Sequence, residues 1–231
     1  MCGRYSFGKI DRMDFSRFGV APIPDLVPRW NISPGADVLA VRHGAGGHEA
    51  VFLRWGLVPH WAKDASVGHK LANARAETVH EKPSFRTAFK ARRCLLPADG
   101  FFEWQAVTGR RHKQPWRVER ADGAVIALGG LWEYWRDAQD TKLETCTVLT
   151  VPVNTALAHI HNRLPLILDR HDWGRWLSPN AGEDTVRALL HAPADDVLVA
   201  WKVSEAVNAV SHDDPSVVQP LGDDRGPPAS S

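Results

Sequence analysis

The chain begins Met1-Cys2-Gly3-Arg4-Tyr5, so removal of the initiator methionine leaves a cysteine with a free α-amine. Methionine excision favours a small second side chain, and cysteine is small. The mature terminus then carries an amine and a thiol on adjacent carbons. With an aldehyde, the amine forms an imine and the thiol closes on the imine carbon as a five-membered thiazolidine. An α-amine titrates at about 7.7–8.0 and a thiol at about 8.5, so both are expected to be partly reactive near neutral pH. Such chemistry calls for no metal and no cofactor, and none is expected.

Two further side chains could move protons. Glu103 lies in Gly100-Phe101-Phe102-Glu103-Trp104, on a predicted strand. Alternation puts Phe101 and Glu103 on one face. If that face points inward, desolvation raises the carboxyl pKa unless a cation or donor pairs with it, which suits a general acid or base. A structural salt bridge is the alternative. His161 lies in Ile160-His161-Asn162-Arg163-Leu164-Pro165, at the predicted junction of a helix and an apolar strand. There it can transfer protons at neutral pH, with His159 as a competitor and a hydrogen-bonded structural role as the alternative.

Other segments look toward an anionic polymer. Arg75 sits in Asn73-Ala74-Arg75-Ala76-Glu77, ahead of a basic helix with Arg86, Lys90, Arg92 and Arg93. Arginine suits bidentate phosphate contacts, and a clustered positive face is the footprint of a nucleic-acid binder; a solvated helix face is the bland reading. Trp55-Gly56-Leu57-Val58-Pro59-His60-Trp61-Ala62 constrains its backbone with Gly and Pro. A ring projecting from that loop could stack on a base, against the alternative that both rings are core.

The elements that must hold these groups read mainly as strands. Residues 37–43 and the stretch through Val51, Leu53 and Trp55 flank a glycine turn and predict a hairpin. Residues 83–93 have helical spacing, with Phe85, Ala88 and Phe89 on one side and Arg86, Lys90 and Arg93 on another. Residues 95–97, 101–104, 116–119, 125–132, 145–151, 166–168 and 197–203 predict further strands. Short helices are expected at 156–160, 172–177 and 184–191. Strands outnumber helices without regular βαβ alternation. The expected fold is α+β, one domain over 2–220 with a mostly antiparallel, barrel-like sheet and peripheral helices. Residues 221–231 are expected to form a disordered tail.

Composition agrees with a globular chain: 231 residues, 44% hydrophobic and 24% charged. No apolar run reaches the roughly 20 residues that cross a bilayer, and a basic start followed by an apolar stretch is missing, so neither membrane span nor signal peptide is expected. Three cysteines without metal spacing fit free thiols in a reducing cytoplasm. Net charge is +1, so nucleic-acid binding would need a local patch. Ten tryptophans are the compositional oddity.

Taken in order, these segments resemble the SRAP (SOS-response-associated peptidase) family. The resemblance runs from Cys2 to about Pro220 and rests on Cys2-Gly3-Arg4-Tyr5, Asn31-Ile32-Ser33-Pro34, the Trp55–Trp61 segment, Asn73-Ala74-Arg75-Ala76-Glu77, Gly100-Phe101-Phe102-Glu103-Trp104 and the His161 motif. Val203-Ser204 with Val207-Asn208 looks like its last motif. Asn162 and Leu164 stand where members often have Asp and Met. The resemblance implies a sensor and shield of abasic sites in single-stranded DNA. Its mature N-terminal cysteine forms a thiazolidine crosslink with the ring-opened sugar. By motif, Cys2 is the nucleophile, Asn73 positions the sugar or terminus, Glu103 handles protons at amine and imine, and His161 serves ring opening and reversal. Arg4, Arg75, Arg86 and Arg163 fall in the DNA-contacting motifs, Pro34 and Trp61 would pack against bases where strand and duplex part, and Thr150 would line the pocket. The implied protein is a cytoplasmic monomer, on the nucleoid when bound to DNA, with crosslinking or lyase-type chemistry and (auto)peptidase removal of Met1.

Two rival classes differ in what they require. A cysteine peptidase of the N-terminal nucleophile type would use Cys2, His161 and Glu103, although an oxyanion-hole motif is not evident. A non-covalent single-strand binder would use Trp and Arg and need neither Cys2 nor Glu103.

Overall fold

The computed structural model describes residues 2–222 of the chain; the expected tail, from 223 onward, lies outside them. The strands are β1 (Tyr5–Phe7), β2 (Arg29–Ile32), β3 (Asp37–Gly44), β4 (Gly47–Trp55), β5 (Asn73–Arg75), β6 (Arg93–Ala98), β7 (Gly100–Gln105), β8 (Gln114–Arg120), β9 (Ile126–Arg136), β10 (Lys142–Pro152), β11 (Arg163–Pro165) and β12 (Leu198–Lys202). The α-helices are short: α1 (Arg86–Ala91), α2 (Trp173–Leu177) and α3 (Glu183–Arg187).

Five strands close on themselves. The pairing runs β10-β4-β3-β6-β9, and β9 returns to β10. The predicted hairpin is β3–β4, its register ending at Gly44↔Gly47 across a two-residue turn. All pairings in the ring are antiparallel except β10–β4, which runs parallel through Thr145↔Arg54. Closure removes the free edges an open sheet would expose. Strand β10 also carries β5 in parallel register (Val148↔Asn73) and β11 in antiparallel register (Thr150↔Pro165). A second, antiparallel sheet has the order β12-β8-β7-β1-β2. The expectation of an α+β fold with a mostly antiparallel, barrel-like sheet therefore holds.

The core is apolar and aromatic, with Trp55, Phe89, Phe101 and Trp176 among its fully buried side chains. Phe102, one residue along β7, is buried on the opposite face in a cluster with Val203, Val207, Val217 and Val218. Both faces of β7 are thus covered, which is why Glu103 cannot reach bulk water.

Several predicted elements change. The helix expected at 83–93 is only Arg86–Ala91. Arg93 leaves the helix for β6 and is buried, donating to the carbonyls of Phe89, Lys90, Trp176 and Ser178. It caps the open carbonyls at the end of α1, so it is no part of a basic surface. The helix expected at 156–160 is a series of turns, closed by bonds such as Ile160 N–H to Leu157 O (2.9 Å). The strand expected at 166–168 is displaced to Arg163–Pro165, leaving a single bridge between Ile167 and Leu128. The last helix stops at Arg187 rather than 191. Among the described residues no helix is long and apolar enough to cross a membrane.

Candidate functional site

The N-terminal segment is threaded between two strands. Tyr5 pairs with Ile32 of β2 and with Phe101 of β7, and the Phe102 N–H donates to Arg4 O at 2.9 Å. That register carries Cys2 along β7 toward Glu103. Cys2 is buried, and the negative charge of Glu103 acts on its thiol. Glu103 is 2% exposed, on the inward face shared with Phe101, as the alternation required. His161 comes from the other sheet system, in the turn before β11, and its Nδ1 lies 3.9 Å from Glu103 Oε2. Gln105 fastens this junction: its Nε2 donates to His159 O (2.9 Å), and its Oε1 accepts from Trp116 Nε1 (3.0 Å). The His159 ring packs edge-on against Trp116 at 5.5 Å. The structure thus brings Cys2, Glu103 and His161 together.

Asn73 enters through β5, opposite Val148 of β10; its Oδ1 is buried and has no hydrogen-bond partner among the described residues. Thr150, fully buried, lies two pairs further along, opposite Arg75 on one side and Pro165 on the other.

Burial sets the electrostatics. It pushes the Cys2 thiol far above its ordinary value, with the Glu103 charge adding to the effect. The thiol is therefore held protonated at neutral pH, which corrects the expectation that it is partly ionised. Burial also raises Glu103 to about 7, against the chain's N-terminal amine first and then the Trp104 N–H and the Lys113 charge, which favour its ionised form. His161 is shifted below its usual value, first by burial. Its Nδ1 accepts a hydrogen bond from the Arg163 N–H at 3.1 Å, a contact the neutral ring provides. A carboxyl group poised near neutrality beside a neutral imidazole is an acid–base pair.

The basic and aromatic residues divide into two sets. Arg75 and Arg86 are exposed, and neither is in an ion pair among the described residues. Trp61 is 56% exposed, whereas Trp55 is buried with Nε1 on Ala72 O (2.8 Å), so one ring of that segment projects and the other is core. Pro34 is half-buried in the turn before β3. Arg4 and Arg163 instead hold partners within the protein. Arg163 Nη2 donates to Glu77 Oε2 (2.9 Å) and Thr150 Oγ1 (3.2 Å), and its Nη1 pairs with Glu77 as well. Arg4 Nη1 donates to Asn31 Oδ1 (2.6 Å) and Val207 O (2.7 Å). Arg92 is tied to buried Glu133 at 2.5 Å, which His60 also approaches at 3.3 Å. Nothing in the sequence assigns a role to Glu133 or to Asn31; an Asn before a Pro-Gly turn carries no signal of the four side-chain contacts it makes in the fold.

The chain is similar to known proteins over most of its length. The model of the family described as SOS response associated peptidase (SRAP) matches residues 1–210. The abasic site processing protein YoaM of Bacillus subtilis (strain 168) is 37% identical over 215 residues, covering 90% of this chain and 93% of that protein. The abasic site processing protein HMCES of Rattus norvegicus is 29% identical, covering 73% of this chain and 56% of its own length. A crystal structure of a protein from Bacteroides thetaiotaomicron superposes with a TM-score of 0.84 at 23% identity, covering 95% of this chain and all (100%) of that one. One from Bordetella bronchiseptica gives 0.76 at 28% identity, covering 88% of this chain and 100% of the other.

Proposed function

The chain belongs to the SRAP family, and from that premise we propose that it captures abasic sites in single-stranded DNA as a covalent thiazolidine at mature Cys2. The observation that carries this reading is the convergence of buried Cys2 with Glu103, raised to about 7, and His161 at 3.9 Å from it. The relatives named above as abasic site processing proteins supply the substrate class.

The protonation states order the steps. An abasic sugar is mostly a closed hemiacetal, so His161 first shuttles a proton between the hydroxyl and the ring oxygen to release the aldehyde. The amine of Cys2 then attacks, because the thiol is protonated. Glu103 carries the two protons of the attacking nitrogen to the oxygen in turn, the first giving the carbinolamine hydroxyl and the second letting it depart, so one water leaves and a C=N bond forms. The S–H then adds across that bond: sulfur bonds to carbon and the proton goes to nitrogen. Ring closure removes the imine that would otherwise promote β-elimination and strand cleavage. Much of the advantage comes from holding amine, thiol and aldehyde in one geometry. Asn73, with its buried unpartnered Oδ1, accepts a hydrogen bond from the sugar or the terminus. Arg75 and Arg86 bind phosphates, and exposed Trp61 packs on a base beside Pro34. Substrates at junctions of single and double strand suit that arrangement.

A cysteine peptidase would need a thiolate, and burial opposes one at Cys2, so the amine-first route is favoured; it requires removal of Met1, because the chemistry needs the freed amine. The deciding measurement is incubation with abasic single-stranded DNA followed by heat denaturation. Wild type should yield a denaturation-resistant adduct. Cys2→Ala should lose it while keeping an imine that borohydride traps. A heat-stable adduct of normal yield from Cys2→Ala would sink the thiazolidine mechanism.

A further inference from the structure

Two segments that the catalytic account leaves unused meet at one buried amide. Asn31 is completely buried on β2. Its Nδ2 faces three carbonyls of the chain's last motif region, Val207 O (3.1 Å), Ala209 O (3.0 Å) and His212 O (2.8 Å). Its Oδ1 accepts from Arg4 Nη1 (2.6 Å), which also donates to Val207 O (2.7 Å). Asp213 closes the frame, accepting from the Asn31 N–H at 2.8 Å. Beside it, Trp104 Nε1 donates to Asn208 Oδ1 (2.8 Å), and the Arg4 guanidinium lies 5.9 Å from the Trp104 ring centre.

Arg4 is therefore held twice, by its side chain in this frame and by its carbonyl on the Phe102 N–H (2.9 Å). Only Gly3 separates it from Cys2, a reach of at most about 7 Å. The Arg4 backbone also favours the Cys2 thiolate, working against burial. Arg4 thus restrains where the Cys2 backbone sits and acts on its sulfur.

We infer that Asn31, acting through Arg4, is a positioning residue that aims the Cys2 thiol at the imine carbon and so governs ring closure rather than DNA binding. The inference rests on the crosslinking function proposed above. It gives the Asn31-Ile32-Ser33-Pro34 and Val207-Asn208 motifs a shared task. It also assigns Arg4 Nη1 to the frame rather than to a phosphate.

The test is single-turnover reaction of the full mature chain with saturating abasic single-stranded DNA, each time point heat-quenched with and without borohydride. Untreated samples report thiazolidine, and treated samples report imine plus thiazolidine. Wild type should give nearly equal yields in both. Asn31→Ala should form the untreated adduct about tenfold or more slowly, the scale of a small misplacement of reacting groups, while the treated yield stays near wild type. A merely structural role would lower the melting temperature and leave the ratio of the two yields unchanged, which would overturn the inference. Because Asn31 is buried, Arg4→Gln provides a second arm if Asn31→Ala does not fold. It should shift the same ratio. If it instead weakens DNA affinity and flattens the salt dependence by about 0.7 with the ratio intact, Arg4 is a phosphate ligand and the inference fails. No wild-type adduct at all would overturn the crosslinking function and this inference together, whereas a wild-type adduct with unaltered variant ratios overturns only this one.

Discussion

Asp99, in the bend between β6 and β7, and Glu103, on β7, are two buried carboxyl groups four residues apart in the chain, and they face opposite fates. Asp99 accepts from Arg117 Nη2 (2.7 Å), the Ser6 hydroxyl and the backbone N–H groups of Gly8 (2.6 Å) and Lys9 (2.7 Å). Burial pushes its pKa up, but Arg117 and these donors outweigh burial and hold it below the ordinary carboxylate value. Around Glu103 burial wins, and the group sits at about 7. The comparison teaches that depth alone does not make a proton-transfer group; the donors around the carboxylate decide. Asp99 is a fully satisfied strut that fastens β1 to β8. Gly100 permits that strut, since a Cβ there would stand 2.5 Å from the Arg117 guanidinium carbon. Glu103 is left near the pH at which it can both take and give a proton.

Three experiments sharpen or break the contrast. The largest effect belongs to Glu103→Gln, which should lower the single-turnover crosslinking rate by about 10²–10⁴-fold, the usual contribution of a positioned acid or base. DNA affinity should hold, because a carboxylate adds nothing to phosphate binding. In wild type the rate should rise with pH through about 7 as Glu103 becomes the base. A variant rate within a few-fold of wild type would make Glu103 as inert chemically as Asp99.

Next is Asp99→Ala. It leaves the fully buried Arg117 without its closest acid partner, Glu119 remaining at 3.1 Å. Breaking a buried pair from one side costs about 3–5 kcal/mol, readable in a denaturant titration, while crosslinking by the folded fraction stays near wild type. Unchanged stability with lost crosslinking would reverse the roles assigned to the two carboxyls.

The smallest effect is the pH dependence of stability, and its sign differs between the two groups. The folded pKa of Glu103 lies above its ordinary 4.5, so the native state binds more protons, and stability falls as pH rises from about 4.5 to about 7. The shift corresponds to about 3 kcal/mol, which Glu103→Gln should restore at pH 8 and not at pH 4. Asp99 is depressed below its ordinary 3.8. Its contribution is complete above that value and is lost only as pH falls through the lower folded one. Equal pH dependence of wild type and Glu103→Gln, measured by melting at both pH values, would contradict the burial of a titrating carboxyl.

The chemistry of this protein was legible as a list of residues and their local frames. Cys2 beside the initiator Met, a carboxyl spaced to share a face with Phe101, and a His next to an apolar strand follow from residue types and a period of two. Those properties survive without knowledge of the partners, as did the β3–β4 hairpin and the strands around them. What the chain could not reveal was which charges meet. Arg93 reads as a surface cation on a helix and becomes the cap of that helix, because β6 begins where the pattern still runs. Arg4 and Asn31 are 27 residues apart, and Asn31 and Val207 are 176. Their bonds exist only after two β-sheets have set the register. Asp99 and Glu103 look alike in sequence, since each is an acid beside apolar neighbours. Pairing with Arg117 across the sheet gives one of them a strong ion pair, and the 3.9 Å approach of His161 brings an imidazole to the other. Residue type and local period are properties of short stretches of chain; the local dielectric and the identity of a buried partner are properties of the packed whole, and the tertiary structure alone decides them.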